Sequence, residues 1–189
     1  FSAESALVLA ASRKKSDRAA QGLAEVHAQV GLNIGPCACR CAFCSFSHEH
    51  GIFTKQSELP LDEAIAAVRQ FERDGANAIY LMTTAQYPFE RFIDRAGAIR
   101  AAIDPATVLV ANIGDSTLEQ YQAVRAAGFA GVYHAVRMGE GRDTPLDPAR
   151  RRESMRLAKQ AGLIVGTCVE PVGPEHTVEE LVEKTLITR

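Results

Sequence analysis

The sequence predicts an α/β protein, a (β/α) barrel of parallel strands that is partial or truncated, with about five βα units visible. Three observations predict it. From residue 30 onward, short apolar runs alternate with longer amphipathic stretches. Three of those stretches stop on the same signal, a glycine followed at once by a new apolar run: Asp74-Gly75-Ala76, Ala127-Gly128-Phe129 and Ala161-Gly162-Leu163. Polar residues gather just beyond the apolar runs: the cysteines, Thr83-Thr84, Asn112, Arg137 with Glu140, and Glu170 with Glu175. In a (β/α) barrel that edge of the strands carries the active site.

The elements follow in order. The first 28 residues read as helix, with Leu7, Leu9, Leu23 and Val26 forming a broken apolar stripe around Arg13, Lys14, Lys15 and Arg18. Residues 1–29 are therefore expected to form an N-terminal helical segment, and residues 30–189 the barrel core, incomplete at its C-terminal end. The apolar runs at 30–34, 78–82, 107–113, 131–136 and 163–169 predict strands. The stretches at 61–73, 89–102, 118–127, 148–161 and 178–186 predict helices. Pro60 and Pro148 sit at or near helix starts, where the missing N–H costs little. Ser116-Thr117 offers capping oxygens to the third of these helices. Gly75, Gly128 and Gly162 supply the left-handed residue that ends a helix. Strand, helix, strand at short spacing implies parallel pairing with crossovers. No GxGxxG turn opens any unit. A full barrel takes about 250 residues, and this sequence has 189.

Alternation along the last strand assigns its faces. Leu163, Val165, Thr167 and Val169 suit the outer face under the helices, so Ile164, Gly166, Cys168 and Glu170 point inward. A carboxylate inside a barrel needs a partner or water, which a polar active-site cavity supplies.

Composition narrows the function classes. With 47% hydrophobic and 23% charged residues, the chain suits one folded domain with a real core rather than a disordered one. A net charge of −2 gives no electrostatic case for nucleic acid or a membrane surface. No apolar run approaches the ~18 residues that span a bilayer. Residues 1–11 have no basic start and do not read as a signal peptide; without an initiator Met, the N-terminus reads as a processed or artificial end.

Four of the five cysteines, Cys37, Cys39, Cys41 and Cys44, fall within eight residues. Disulfide scaffolds spread their cysteines through a secreted chain, and direct Cys-x-Cys bridges are strained. Crowded thiolates repel unless a metal neutralises them. The cluster is therefore expected to bind metal in a reducing, cytoplasmic compartment. Cys37, Cys41 and Cys44 give the spacing Cys-x3-Cys-x2-Cys directly after the first strand. Thiolates are the ligands of iron–sulfur clusters. Three ligands on a four-iron cube leave one iron open, which invites a chelating substrate or cofactor. A structural zinc site is the competing reading, with Cys39, His48 or His50 as a fourth ligand.

The run Cys37-Ala-Cys-Arg-Cys41-Ala-Phe43-Cys44 resembles the signature of the radical S-adenosylmethionine (SAM) family, including the aromatic residue before the last cysteine. The resemblance implies a barrel of radical SAM type, a 4Fe–4S cluster on Cys37, Cys41 and Cys44, and SAM chelating the open iron. Such a cluster cleaves SAM to a 5′-deoxyadenosyl radical that abstracts hydrogen from a small-molecule substrate. An electron donor such as flavodoxin or ferredoxin is implied. Thr83-Thr84 stands where the family has Gly-Gly-Glu, so Thr84 is implied to hold the methionine part of SAM. Arg151 resembles the arginine that holds the SAM carboxylate in biotin synthase-like members. Arg137 and Glu170 are implied as nearby polar contacts. Phe43, largely through its backbone, and Phe46 are implied on the adenine side. Cys168 to Glu175 is similar to the family's Gly-x-Ile-x-Gly-x-x-Glu near adenine, with Glu175 retained and Cys168, Glu170 and Val172 in place of the first Gly, the Ile and the second Gly. Residues 30–180 most resemble the biotin synthase-like branch, which includes methylornithine synthase and the hydrogenase-cofactor maturases. Residues 133–144 with 169–177 resemble the maturase-like proteins linked to the iron–guanylylpyridinol cofactor. The expected activity is thus cofactor biosynthesis of biotin synthase-like or maturase-like kind, by a transferase or lyase type of reaction. A non-catalytic zinc or iron–sulfur domain and an inactive barrel fragment are the alternatives. Cys39, His48 and His50 read as bystanders in the loop, and Cys168 as a small buried thiol.

Overall fold

The computed structural model describes residues 2–188. Six helices and seven strands follow one another as α1 (Ala3–Ala20), β1 (His27–Gly31), β2 (Asn33–Ile34), β3 (Ser57–Glu58), α2 (Leu61–Arg73), β4 (Ala78–Met82), α3 (Phe89–Ala102), β5 (Val108–Asn112), α4 (Leu118–Ala126), β6 (Gly131–Tyr133), α5 (Pro148–Gln160), β7 (Ile164–Gly166) and α6 (Val178–Thr188). Five strands form one sheet in the order β1-β4-β5-β6-β7, and every neighbouring pair is parallel. This is the arc of a (β/α) barrel, with strand order following chain order.

The sequence signals act as expected at most boundaries. Asp147 caps α5 by accepting the Ala149 N–H, with Pro148 in its first turn. Thr117 and Gln120 make a reciprocal capping box on α4. Gly75, Gly128 and Gly162 have φ of 87°, 88° and 80°. At the first of these the Ala76 N–H reaches back to the Phe71 carbonyl at 2.9 Å, which closes α2 and turns the chain into β4.

Two expectations at the N-terminal end are corrected. The helix stops at Ala20 instead of running to residue 28, and Leu7, Val8 and Leu9 are exposed, so α1 buries no residue. The first sheet strand is His27–Gly31, paired residue for residue with Ala78–Met82, so the expected boundary at residue 30 falls inside it. Asn33–Ile34 leaves that sheet and pairs antiparallel with Ser57–Glu58. The expected strand at 30–34 thus merges two short elements that belong to different sheets.

The core lies between the outer sheet face and the helices. Val30, Ile79, Leu81, Leu109, Ala111 and Val132 from the strands pack with Val68, Phe92, Ile99, Tyr121 and Val124 from the helices. Phe92 and Phe129 meet with ring centroids 5.7 Å apart. The alternation read along the last strand holds only at its start: Leu163 is buried and Val165 packs on the core, while Ile164 is 72% exposed on the open concave face. β7 ends at Gly166 rather than at the expected residue 169, so Thr167 to Glu170 follow no strand alternation. The five parallel strands all end at the same edge, and the chain leaves β1 there and passes through β2 into the cysteine loop.

Candidate active site

The loop between β2 and β3 is shaped by its own backbone. At Gly35 a Cβ would lie 2.9 Å from the Gln56 Cα, so the two passes of chain approach too closely for a side chain. Cys37 N–H donates to the Phe46 carbonyl at 2.6 Å, and His48 N–H donates to the Cys37 carbonyl at 3.2 Å. These bonds close residues 37–48 into a compact turn. Arg40, between the second and third cysteines, takes a left-handed φ of 49°. The β6–α5 connection ties the loop down from outside. Ala42 N–H donates to the Asp143 carbonyl at 2.9 Å, and Cys41 Sγ lies 3.3 Å from Thr144 Oγ1. His48 and His50 brace the loop from the solvent side, with ring nitrogens 3.3 Å and 2.9 Å from the carbonyls of Cys37 and Ala42.

Cys37, Cys41 and Cys44 line one cavity of about 170 Å³, with Phe43 and Phe46 on the loop side. Thr84, Arg137 and Arg151 line the same cavity from the ends of β4, β6 and the start of α5. All five cysteines are free thiols. Among the described residues no three Cys, His, Asp or Glu side chains converge as a single bound ion requires. A cube spreads its thiolates over separate irons, so the soft sulfur donors around one cavity fit an iron–sulfur group better than one zinc ion. The Gln86 amide spans two of the sulfurs: its Nε2 donates to Cys39 Sγ at 3.0 Å, and its Oε1 accepts from Cys37 Sγ at 3.2 Å. The Cys37 pKa is lowered to about 6, first by the hydrogen bond from the Cys39 thiol, against the opposing effect of burial. A Cys37 thiolate requires the Gln86 amide to turn over, so that its NH2 faces that sulfur. Burial is the main cause that raises Cys41, with the Thr144 hydrogen bond opposing it.

Thr84 is clamped to Asn33. Its N–H donates to Asn33 Oδ1, and its hydroxyl accepts from Asn33 Nδ2, both at 2.9 Å. The same asparagine that breaks away from β1 thereby fixes the end of β4. Arg151 is buried and held by acids and a carbonyl. Its Nη1 donates to Asp115 Oδ1 at 3.0 Å, its Nε donates to the Ala135 carbonyl at 3.3 Å, and Glu140 Oε1 lies 3.5 Å from Nε. Asp115 Oδ1 also meets His134 Nε2 at 2.8 Å. Burial raises the Asp115 pKa, but the His134 and Arg151 contacts outweigh it and hold the group below its ordinary value. Burial lowers His134, which keeps the ring neutral. Burial also raises Glu140, partly offset by Arg151, and its Oε1 has no hydrogen-bond partner.

A larger cavity of about 620 Å³ adjoins the first and shares Phe43, Cys44, Phe46 and Arg137 with it. Glu170 lines this second cavity and not the first, so it stands apart from the other expected residues. Its carboxylate is 59% exposed, lies 3.9 Å from Arg137, and accepts the Tyr133 hydroxyl at 2.5 Å. Tyr133 also sits 2.7 Å from Cys168 Sγ, and the Arg137 guanidinium lies 5.9 Å from its ring centre. Glu175 is exposed, near His176 at 3.9 Å, and lines neither cavity.

Sequence reasoning singled out the cysteines, phenylalanines and arginines but did not assign Asn33, Gln86, Asp115 or Thr144 to the site. Only Asp115 carried a usable signal, an acidic residue just past the polar end of a strand.

The sequence matches the radical SAM superfamily over residues 35–186. It is 27% identical over 152 residues to biotin synthase 1 of Corynebacterium diphtheriae, covering 75% of this chain and 42% of that protein. Among solved structures, methylornithine synthase (PylB) aligns with TM-score 0.75 at 16% identity, covering 95% of this chain and 53% of that one. HydG, a maturase of the FeFe-hydrogenase, aligns with TM-score 0.69 at 17% identity, covering 86% and 38%. The chain thus spans about half or less of these relatives, and the structural likeness carries the partial (β/α) barrel. The family match begins at the glycine that opens the cysteine loop and runs through every later βα unit, so the chain belongs to the radical SAM superfamily.

Proposed function

We propose that this chain is the catalytic core of an enzyme that uses a 4Fe–4S cluster and SAM to abstract hydrogen from a small-molecule substrate, in cofactor biosynthesis of biotin synthase-like or hydrogenase-cofactor maturase-like kind. The single observation that carries the reading is the meeting of Cys37, Cys41 and Cys44 with Thr84 and Arg151 around one cavity at the strand ends. Once bound, the cluster supplies the electron that cleaves SAM to methionine and a 5′-deoxyadenosyl radical.

The chain's own residues bind and orient. Cys37, Cys41 and Cys44 hold the cluster. Arg151 offers its guanidinium to the SAM carboxylate, and its Nη2 is the nitrogen left over by Asp115 and Ala135. Thr84 gives its N–H to Asn33 and accepts from it at the hydroxyl oxygen, which fixes the side chain and leaves the hydroxyl proton for the methionine part. Phe43 and Phe46 form the adenine side. Arg137 and Glu170 line the adjoining cavity, where the substrate is placed within reach of the cleaved nucleoside. The donor of the electron is a low-potential protein such as a flavodoxin or ferredoxin.

The test is anaerobic reconstitution with iron and sulfide, followed by a SAM cleavage assay. The expected result is a brown protein whose visible absorbance is bleached by dithionite and which forms 5′-deoxyadenosine. The Cys44→Ala variant is expected to lose both iron and product. A colourless protein that takes up zinc instead, or undiminished turnover in the variant, would overturn the reading.

A further inference from the structure

The cavity has one thiol more than a three-cysteine signature uses. Cys39 is 9% exposed and lines the same cavity as Cys37, Cys41 and Cys44. It is held there from two directions. Gln86 Nε2 donates to its sulfur at 3.0 Å, while its carbonyl accepts from the Thr144 hydroxyl at 3.4 Å. A small residue packed as a hydrophobe would sit against apolar neighbours. This sulfur instead faces a polar amide shared with the Cys37 sulfur, which lies 3.2 Å from Gln86 Oε1. Burial alternates along this stretch, with Ala38 and Arg40 exposed and Cys37 and Cys39 buried, so positions 37, 39 and 41 share the side that faces the cavity.

We propose that Cys39 is a fourth cluster ligand, a thiolate that occupies the iron left open by the other three and gives way when SAM binds. The inference rests on the reading of the cavity as a 4Fe–4S site. As the iron–sulfur bond forms, the Cys39 thiol releases its proton to solvent. When the SAM amino and carboxylate groups displace it, the sulfur takes a proton back, and no electron moves. A fourth anionic ligand makes the cluster more negative and lowers its reduction potential. Before SAM arrives, the cluster is thus both shielded and harder to reduce.

The experiment compares the reconstituted protein with Cys39→Ala and Cys39→Ser, all without SAM. Each is first assayed for iron and then briefly oxidised with ferricyanide, and the three-iron form is counted by low-temperature electron paramagnetic resonance. A cluster with one iron lacking a protein ligand sheds that iron on oxidation. Both variants are expected to load as much iron as the unmutated protein and then to give several-fold more of the three-iron signal. The cluster of the unmutated protein should also have the lower midpoint potential. Equal three-iron signals in all three proteins would overturn the proposal. So would loss of all iron in both Cys39 variants, because Cys39 would then be one of the three primary ligands. An unmutated protein that takes up no iron would refute the cluster reading itself and the proposal with it.

Discussion

Asp115→Asn is the sharpest probe of the buried network behind the cavity. The change keeps the side chain's shape and removes its charge. Asp115 is 13% exposed and Arg151 7%, and one carboxylate oxygen serves both Arg151 and His134. Removing one member of a buried ion pair costs about 3–5 kcal/mol. Asparagine retains an accepting oxygen, and Glu140 remains 3.5 Å from Arg151, so the expected loss falls just below that range, about 2–3 kcal/mol. Urea denaturation at pH 7 measures it. The pH dependence gives a second readout. The lowered folded pKa of Asp115 means its stabilisation is present above the unfolded value, about 3.9, and is lost as pH falls through the folded value. The folded pKa of His134 is lowered first by burial, so stability also falls as pH drops below about 6.5, where the unfolded ring takes up a proton. Without the Asp115 charge, the folded ring resists protonation further. Protonation of the unfolded ring costs both proteins alike, so the gap between them is expected to widen only as pH falls through the lowered folded value of His134, and to close below about 3.9. A loss under about 0.5 kcal/mol, in the range of exposed ion pairs, or a gap that does not change with pH, would refute this account.

Two further substitutions test the buried interior. Glu140→Gln is expected to leave stability unchanged or slightly raised at pH 7, because burial raises the folded pKa of this carboxyl and its charge costs stability above the unfolded value of about 4.3; urea titrations at pH 4 and pH 7 check that the benefit disappears at the lower pH. Phe92→Ala is expected to cost about 3–5 kcal/mol, since Phe92 is 1% exposed and packs against Phe129; thermal unfolding reads the drop.

The βα rhythm was legible because its signals are local. The bounds of α2, α3 and β4 match the periodic stretches at 61–73, 89–102 and 78–82, each set by neighbouring residues. The N-terminal region misleads for a physical reason. Leu7 and Leu9 look like a buried stripe but nothing packs on them, while His27-Ala-Gln-Val-Gly31 forms a strand through pairing with β4 despite its weak apolar content. Leu32 still bonds the Met82 carbonyl, yet Asn33 turns away to clamp Thr84, and no local pattern marks that switch. The cysteine spacing was legible as a ligand set. The union of Asp115, His134 and Arg151 was not, because it joins two neighbouring βα units, and only their packing side by side brings the three together.

The bonds from Ala42 and Cys41 to Asp143 and Thr144 span about a hundred positions of chain. A ribosome must therefore make about a hundred residues beyond the cysteines before the iron socket has its full set of braces. A translation pause between the cysteines and Asp143 would leave the sulfurs displayed on an unbraced turn, open to oxidants.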